Sequence, residues 1–164
     1  MQKGLIMILK EQSIFYSITS ILILSLIIIF SVYYFINRKE LIGPIIFISG
    51  FLPWIPIKFS GRTIRSTGAD IVFGAIDTGI LGIAALIGAN FAGVLGAIVG
   101  GAIGDSITDA LAGLFEGKMA ERLRRLGIEE LRTPLSSSMG KMSGCLLGVG
   151  LVLTFTWSLI GIDV

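Results

Sequence analysis

The sequence predicts an all-α, polytopic integral membrane protein with about five transmembrane helices, two of them paired as a Gly-rich helical hairpin. Three observations predict it. Of 164 residues, 54% are apolar and only 15% charged, whereas a soluble domain is about 25% charged. Several stretches of about 17–25 residues are nearly free of charge, enough to cross a hydrocarbon core roughly 30 Å thick. The composition also shifts along the chain from Ile, Leu and Phe to Gly, Ala and Ile, with eleven of the 22 glycines between Gly74 and Gly117. A water-soluble globule is excluded.

The first span, 13–36, carries Ile, Leu, Phe and Tyr on every face, as a helix meeting lipid on most sides does. Asn37-Arg38-Lys39-Glu40 closes it. A shorter run at 41–57 contains Pro44, Pro53 and Pro56, which remove backbone donors, so it reads as a kinked or partly re-entrant helix. After the polar connector at 58–70, the apolar run from Ile71 to Glu116 is too long for one crossing. Asn90 is the only polar side chain near its middle, and dividing there gives spans at 71–89 and 92–115. Residues 117–141 are polar; within them Met119, Leu123 and Leu126 share a helical face interrupted at Gly127. This stretch predicts an amphipathic cytoplasmic helix at the headgroups, ended by Thr133-Pro134, with Ser136 to Gly140 as a flexible or capping segment before the last span. The last span is 142–162, and all 164 residues form a single transmembrane domain.

Lysine and arginine counts set the orientation. Lys58, Arg62 and Arg65 mark one cytoplasmic connector, and Lys118, Arg122, Arg124, Arg125, Arg132 and Lys141 mark the other. Lys3 and Lys10 put the N-terminus in the cytoplasm too, leaving Arg38 and Lys39 as the discordant pair. The expected location is the cell membrane, multi-pass. The first apolar run is too long for a typical signal-peptide core and no Ala-x-Ala site follows it, so no cleavable signal is expected. A net charge of +2 gives no case for nucleic acid, and the basic residues read as topology determinants facing membrane lipid.

Gly96, Gly100 and Gly104 recur every four residues, a face that lets a neighbouring backbone approach closely within the hairpin or between protomers. Interfacial anchoring accounts for Tyr33, Tyr34, Trp54 and Trp157.

The chemistry is confined to carboxylates, hydroxyls and backbone, because the chain has no histidine and one cysteine, Cys145. Asp77, Asp105 and Asp109 lie inside apolar runs, where a charge costs about 2.5–3.5 kcal/mol even on the lenient insertion scale. Asp77 is seven residues from Asp70, and Asp109 seven from Glu116; at about 1.5 Å per residue each is roughly 10 Å into the span, with Asp105 one turn deeper. Asp105, Asp109 and Glu116 share one helix face, and Thr78, Ser106 and Thr108 add hydroxyls. No lysine or arginine lies within either run, so the acids either share protons or hold a cation. Asp77, Asp105, Asp109 and Glu116 are therefore the candidate metal ligands. All-oxygen ligands suit Mg²⁺, Ca²⁺ or Mn²⁺ rather than zinc or copper. A plainer account has the acids satisfied in a cytoplasmic vestibule or by Arg62 or Arg65.

These residues predict a small membrane protein that binds or transports divalent cations, as a homo-oligomer because so few helices enclose little volume. The rival is a non-catalytic structural or assembly subunit bound to partner membrane subunits. An intramembrane aspartyl protease-like enzyme is a minor alternative. That family and the prepilin peptidases use Gly-x-Gly-Asp, whereas Gly101-Ala102-Ile103-Gly104-Asp105 has one residue too many. A non-enzymatic role is favoured.

Overall fold

The computed structural model describes residues 2–61, 64–125 and 133–160. It is all-helical, with no strand among the described residues. Helix α1 is Gln2–Phe35, α2 Lys39–Ser49, α3 Trp54–Phe59, α4 Gly68–Arg125 and α5 Pro134–Leu153; a 3₁₀ turn, Ile64–Thr67, precedes α4, and a π-helical segment, Thr154–Ile160, extends α5. Four segments are long and apolar enough to cross a membrane: Ile14–Phe35, Glu40–Phe59, Gly68–Phe115 and Pro134–Leu159.

The prolines act where the backbone can absorb them. Pro44 sits inside α2, while the chain leaves helical hydrogen bonding at Gly50 to Pro53. There Phe51, Leu52 and Trp54 donate their N–H groups to the carbonyls of Ile48, Ser49 and Phe51, tighter three-residue turns that leave no donor stranded. A buried side-chain relay adds to this: Trp54 Nε1 donates to Ser143 Oγ at 2.9 Å, and Ser143 donates to the Gly50 carbonyl at 2.7 Å. Ser143 is fully buried. Ser143→Ala strands an indole N–H and a carbonyl, so we expect it to cost about 1–3 kcal/mol. The readout is a lowered thermal transition in detergent. Ser138→Ala, which loses only a bond to its own-turn Leu135 carbonyl, serves as the near-silent control.

Helix α5 begins eight residues before the expected last span. Thr133 accepts from the Ser136 N–H while Ser136 Oγ accepts from the Thr133 N–H, a reciprocal cap followed by Pro134 in the first turn. Ser136 to Gly140 thus form the opening turns of this helix rather than a segment ahead of it. At its other end, Gly127 and the rest of 126–132 lie outside the described residues, and α4 itself runs on to Arg125. The Glu121–Arg125 ion pair on its last turns is exposed and contributes little.

Helix α5 is the common neighbour of α1, α2, α3 and α4. Close approach to α4 depends on Gly140, Gly144 and Gly148: a Cβ at Gly144 would stand 2.1 Å from the Ile71 carbonyl oxygen, and one at Gly148 2.2 Å from that of Ala75. On another side, a Cβ at Gly150 would stand 2.4 Å from the Phe47 nitrogen of α2. A small apolar core of Leu24, Ile57, Leu135 and Met139 joins α1, α3 and α5.

A candidate carboxylate site between the limbs of α4

Helix α4 is broken at Ala92 (φ −143°, ψ 26°) and Gly93 (φ 57°, ψ −136°). The left-handed φ of Gly93 is one that side chains resist and glycine accepts. Beyond it the helix lies back along itself. Asp77 and Thr108 touch although 31 residues apart, a separation of roughly 46 Å along a straight helix. Glycines set the spacing: a Cβ at Gly96 would stand 1.9 Å from the Gly88 carbonyl oxygen, and one at Gly100 2.3 Å from that of Ala84. The break falls beyond Asn90, because what the reversal needs is backbone freedom rather than side-chain polarity.

The site forms where this close contact ends. Gly104 faces Leu81 and Ala84, and one turn further on buried Thr108 meets half-buried Asp77. Thr108 Oγ1 donates to Asp77 Oδ1 and also lies 3.1 Å from its own-turn Gly104 carbonyl oxygen and 3.0 Å from that of Asp105. Asp105, half-buried, is therefore in the same turn as the hydroxyl that holds Asp77. Asp109 is exposed, on a face of small residues with Ala102, Ser106 and Gly113. Ser106 Oγ donates to its own-turn Ala102 carbonyl at 2.8 Å. Of the four expected ligands, only Asp77 meets Thr108 through its carboxylate; Asp105 reaches the same hydroxyl through its main-chain carbonyl alone, Asp109 stands exposed on the outer face, and the Glu116 side chain lies outside the described residues, as do those of Arg62 and Arg65. Among the described residues, no three Asp, Glu or Cys side chains are gathered as a metal-holding group.

Asp70, a residue outside the expected ligand set, lies at the N-terminal end of α4. It is buried in the first helical turn, where the helix dipole favours a carboxylate, and Ser137 Oγ of α5 donates to Asp70 Oδ1 at 3.4 Å. Its position against Gly140 makes it part of the α4–α5 joint. No protein-family model, curated protein or solved structure matches this chain.

Proposed function

We propose that this chain is a small multi-pass protein of the cell membrane that binds and conducts divalent cations on the carboxylates of α4. The observation that carries the reading is the run of oxygen groups on the two limbs, with Asp77 and Thr108 in contact, Asp105 in the same turn and Asp109 on the open face next to it. A carboxylate facing hydrocarbon is costly, and a hydrated Mg²⁺, Ca²⁺ or Mn²⁺ offsets that cost with oxygen-compatible charge. In this reading the 48-residue segment Gly68–Phe115 crosses twice, giving five crossings with the N-terminus and residues 117–141 in the cytoplasm. A homo-oligomer fits the small-residue outer face, where the acids of neighbouring copies would line one path. What meets Asp77 across the limbs is Thr108, not a second aspartate, which supports a binding site over a two-aspartate catalyst.

The exposed Asp109 also favours a second reading, an assembly subunit whose partner covers that face with a cation of its own. Stoichiometry in mild detergent separates the two. A stable self-oligomer supports conduction; constant co-purification of larger membrane proteins supports the subunit. For conduction itself the test is uptake of Mn²⁺, Ca²⁺ or Mg²⁺ into vesicles holding the purified chain. Uptake above protein-free vesicles supports the reading, and none from a folded self-oligomer overturns it.

The five-crossing topology makes its own prediction. In a Cys145→Ala background, a membrane-impermeant thiol reagent should label Lys118→Cys only from the cytoplasm and Asn90→Cys only from the other side. Both positions are exposed, whereas Ser136 is buried in its cap and would report on packing instead. Labelling of both from one side would rule out the double crossing of Gly68–Phe115.

A further inference from the structure

A groove of about 480 Å³ lies between the two limbs of α4 and the far end of α5, bordered by Leu81, Ala85 and Ala89 on the first limb, Ala97 on the second, Leu153 at the end of α5 and Trp157 in its π-helical extension. That volume is within the usual range of ligand sites, about 300–1,000 Å³. Every residue along it is Leu, Val, Ala or Gly apart from Trp157, so the indole nitrogen is the single polar side-chain atom of its lining. Among the described residues, Trp157 Nε1 is also the one buried side-chain nitrogen or oxygen with no hydrogen-bond partner. A buried indole N–H ordinarily finds an acceptor, because a stranded donor has lost its bond to water and gained none. A tryptophan that only anchors a helix at the headgroups keeps its N–H in contact with water; this one does not. The segment that carries it is fixed by α2: a Cβ at Gly43 would stand 2.3 Å from the Thr154 nitrogen, and Ser158 Oγ donates to the Glu40 carbonyl at 2.5 Å. π-Helical turns such as Thr154–Ile160 are rare and concentrate at functional sites.

We propose that this groove holds one hydrocarbon chain of a membrane lipid, with the ester carbonyl at the head of that chain accepting the hydrogen bond of Trp157 Nε1. The walls select the chain. They lie within the apolar segments Gly68–Phe115 and Pro134–Leu159 and offer dispersion contact alone, which a polar solute would enter only by leaving its own groups unpaired. From Leu81 to Ala89 the first limb runs eight residues, about 12 Å, a length that suits an extended acyl segment. The donor selects the head. Trp157 stands two residues from the end of the last apolar segment at Leu159, the level at which interfacial tryptophans meet the headgroup region and a lipid carries its ester oxygens. This site requires the chain to lie in a membrane but not to conduct cations, and thiol labelling at Lys118→Cys and Asn90→Cys reports on the crossings independently.

The test is native mass spectrometry of the intact chain in detergent, titrated with dioleoyl phosphatidylcholine or with its diether analogue, which lacks the carbonyls. The wild type should bind one diester lipid per chain saturably and hold the diether more weakly, by the roughly two- to tenfold that one hydrogen bond is worth. Trp157→Phe, which keeps an aromatic ring and removes the N–H, should weaken the diester by that factor and bind both lipids alike. Ala97→Phe fills the groove and should abolish the saturable site, whereas Ile98→Phe, which puts the same ring on the exposed face beside it, should leave the site intact. If Ala97→Phe fails to fold, the Trp157→Phe comparison decides alone. Equal affinity of the wild type for the two lipids, or a saturable site that survives Ala97→Phe, overturns the proposal. So does a wild type with no saturable lipid, and loss of its self-oligomer in Ala97→Phe would then assign the groove to a second copy of the chain.

Discussion

Gly100→Leu is expected to abolish the folded, monodisperse protein. A single Cβ at this position would stand 2.3 Å from the Ala84 carbonyl oxygen and 3.1 Å from its carbon, and both are backbone atoms of the facing limb that cannot swing aside. Overpacking an interior costs about 1–3 kcal/mol and sometimes more, and a full leucine between two backbones belongs at the upper end. Separating the limbs would also pull Thr108 from Asp77 and leave that half-buried carboxylate without its hydroxyl. Size exclusion and thermal unfolding in detergent provide the measurement. Gly79→Leu and Gly113→Leu are the controls, since nothing lies within 4 Å of a Cβ at either position. Gly113→Leu separates two properties. It should leave the fold intact while weakening self-association if copies meet on the Asp109 face. An unchanged oligomer would move the contact elsewhere.

Asp105→Asn and Asp109→Asn should each abolish stabilisation by Mg²⁺, Ca²⁺ or Mn²⁺ and any flux of those ions. Asparagine keeps size and hydrogen bonding but removes the charge. A cation that binds only the folded chain raises its stability by about 2.7 kcal/mol at a hundred times its dissociation constant, and the whole of that increment should disappear. Without a cation the two variants should be as stable as the parent or more so, because a desolvated charge has been removed. Glu116→Gln, at the polar end of the apolar run, should have the smaller effect. Full cation responses in both Asp variants, with intact folding, would sink the conduction reading and leave the assembly subunit.

Much of the backbone was legible because hydrophobic run length is a coarse and strong signal. The run at 13–36 and the proline-rich run at 41–57 correspond to helical segments, the second interrupted at Gly50 to Pro53. Finer features depended on which of two local cues won. Asn90 drew attention by its polarity, yet the reversal uses the left-handed φ of Gly93. The difference matters in a pair of antiparallel helices, since moving the turn shifts every facing pair by twice as much, here about five residues. A turn centred on Asn90 sets Asp77 opposite Ile103; the observed one sets it beside Thr108. Thr108 was visible as a nearby hydroxyl, but its role needed the register. By composition Ser136 to Gly140 read as a flexible or capping segment ahead of the last span, whereas Thr133, Pro134 and Ser136 spell a helix start. Gly140, Gly144 and Gly148 carry the same four-residue spacing as Gly96, Gly100 and Gly104, but the repeat straddles position 141, where composition changes from polar to apolar, so its first member falls outside the apolar run.

The glycines of α5 bear on how the chain is assembled during synthesis. Four glycines in twenty residues each cost about 1 kcal/mol of intrinsic helix stability relative to alanine, and the opening turns hold three serines. Released alone from the insertion machinery, such a segment would be a weak helix and a reluctant entrant into lipid beside the Ile-, Leu- and Phe-rich α1. What holds it is contact with α2 on one side and α4 on another, both earlier in chain order. The place of α5 is thus set by surfaces that earlier parts of the chain present, more than by its own helix propensity. In the full-length chain, Gly148→Val, whose Cβ would stand 2.2 Å from the Ala75 carbonyl oxygen, should leave α5 undocked and open to limited proteolysis while α1 and α2 stay resistant.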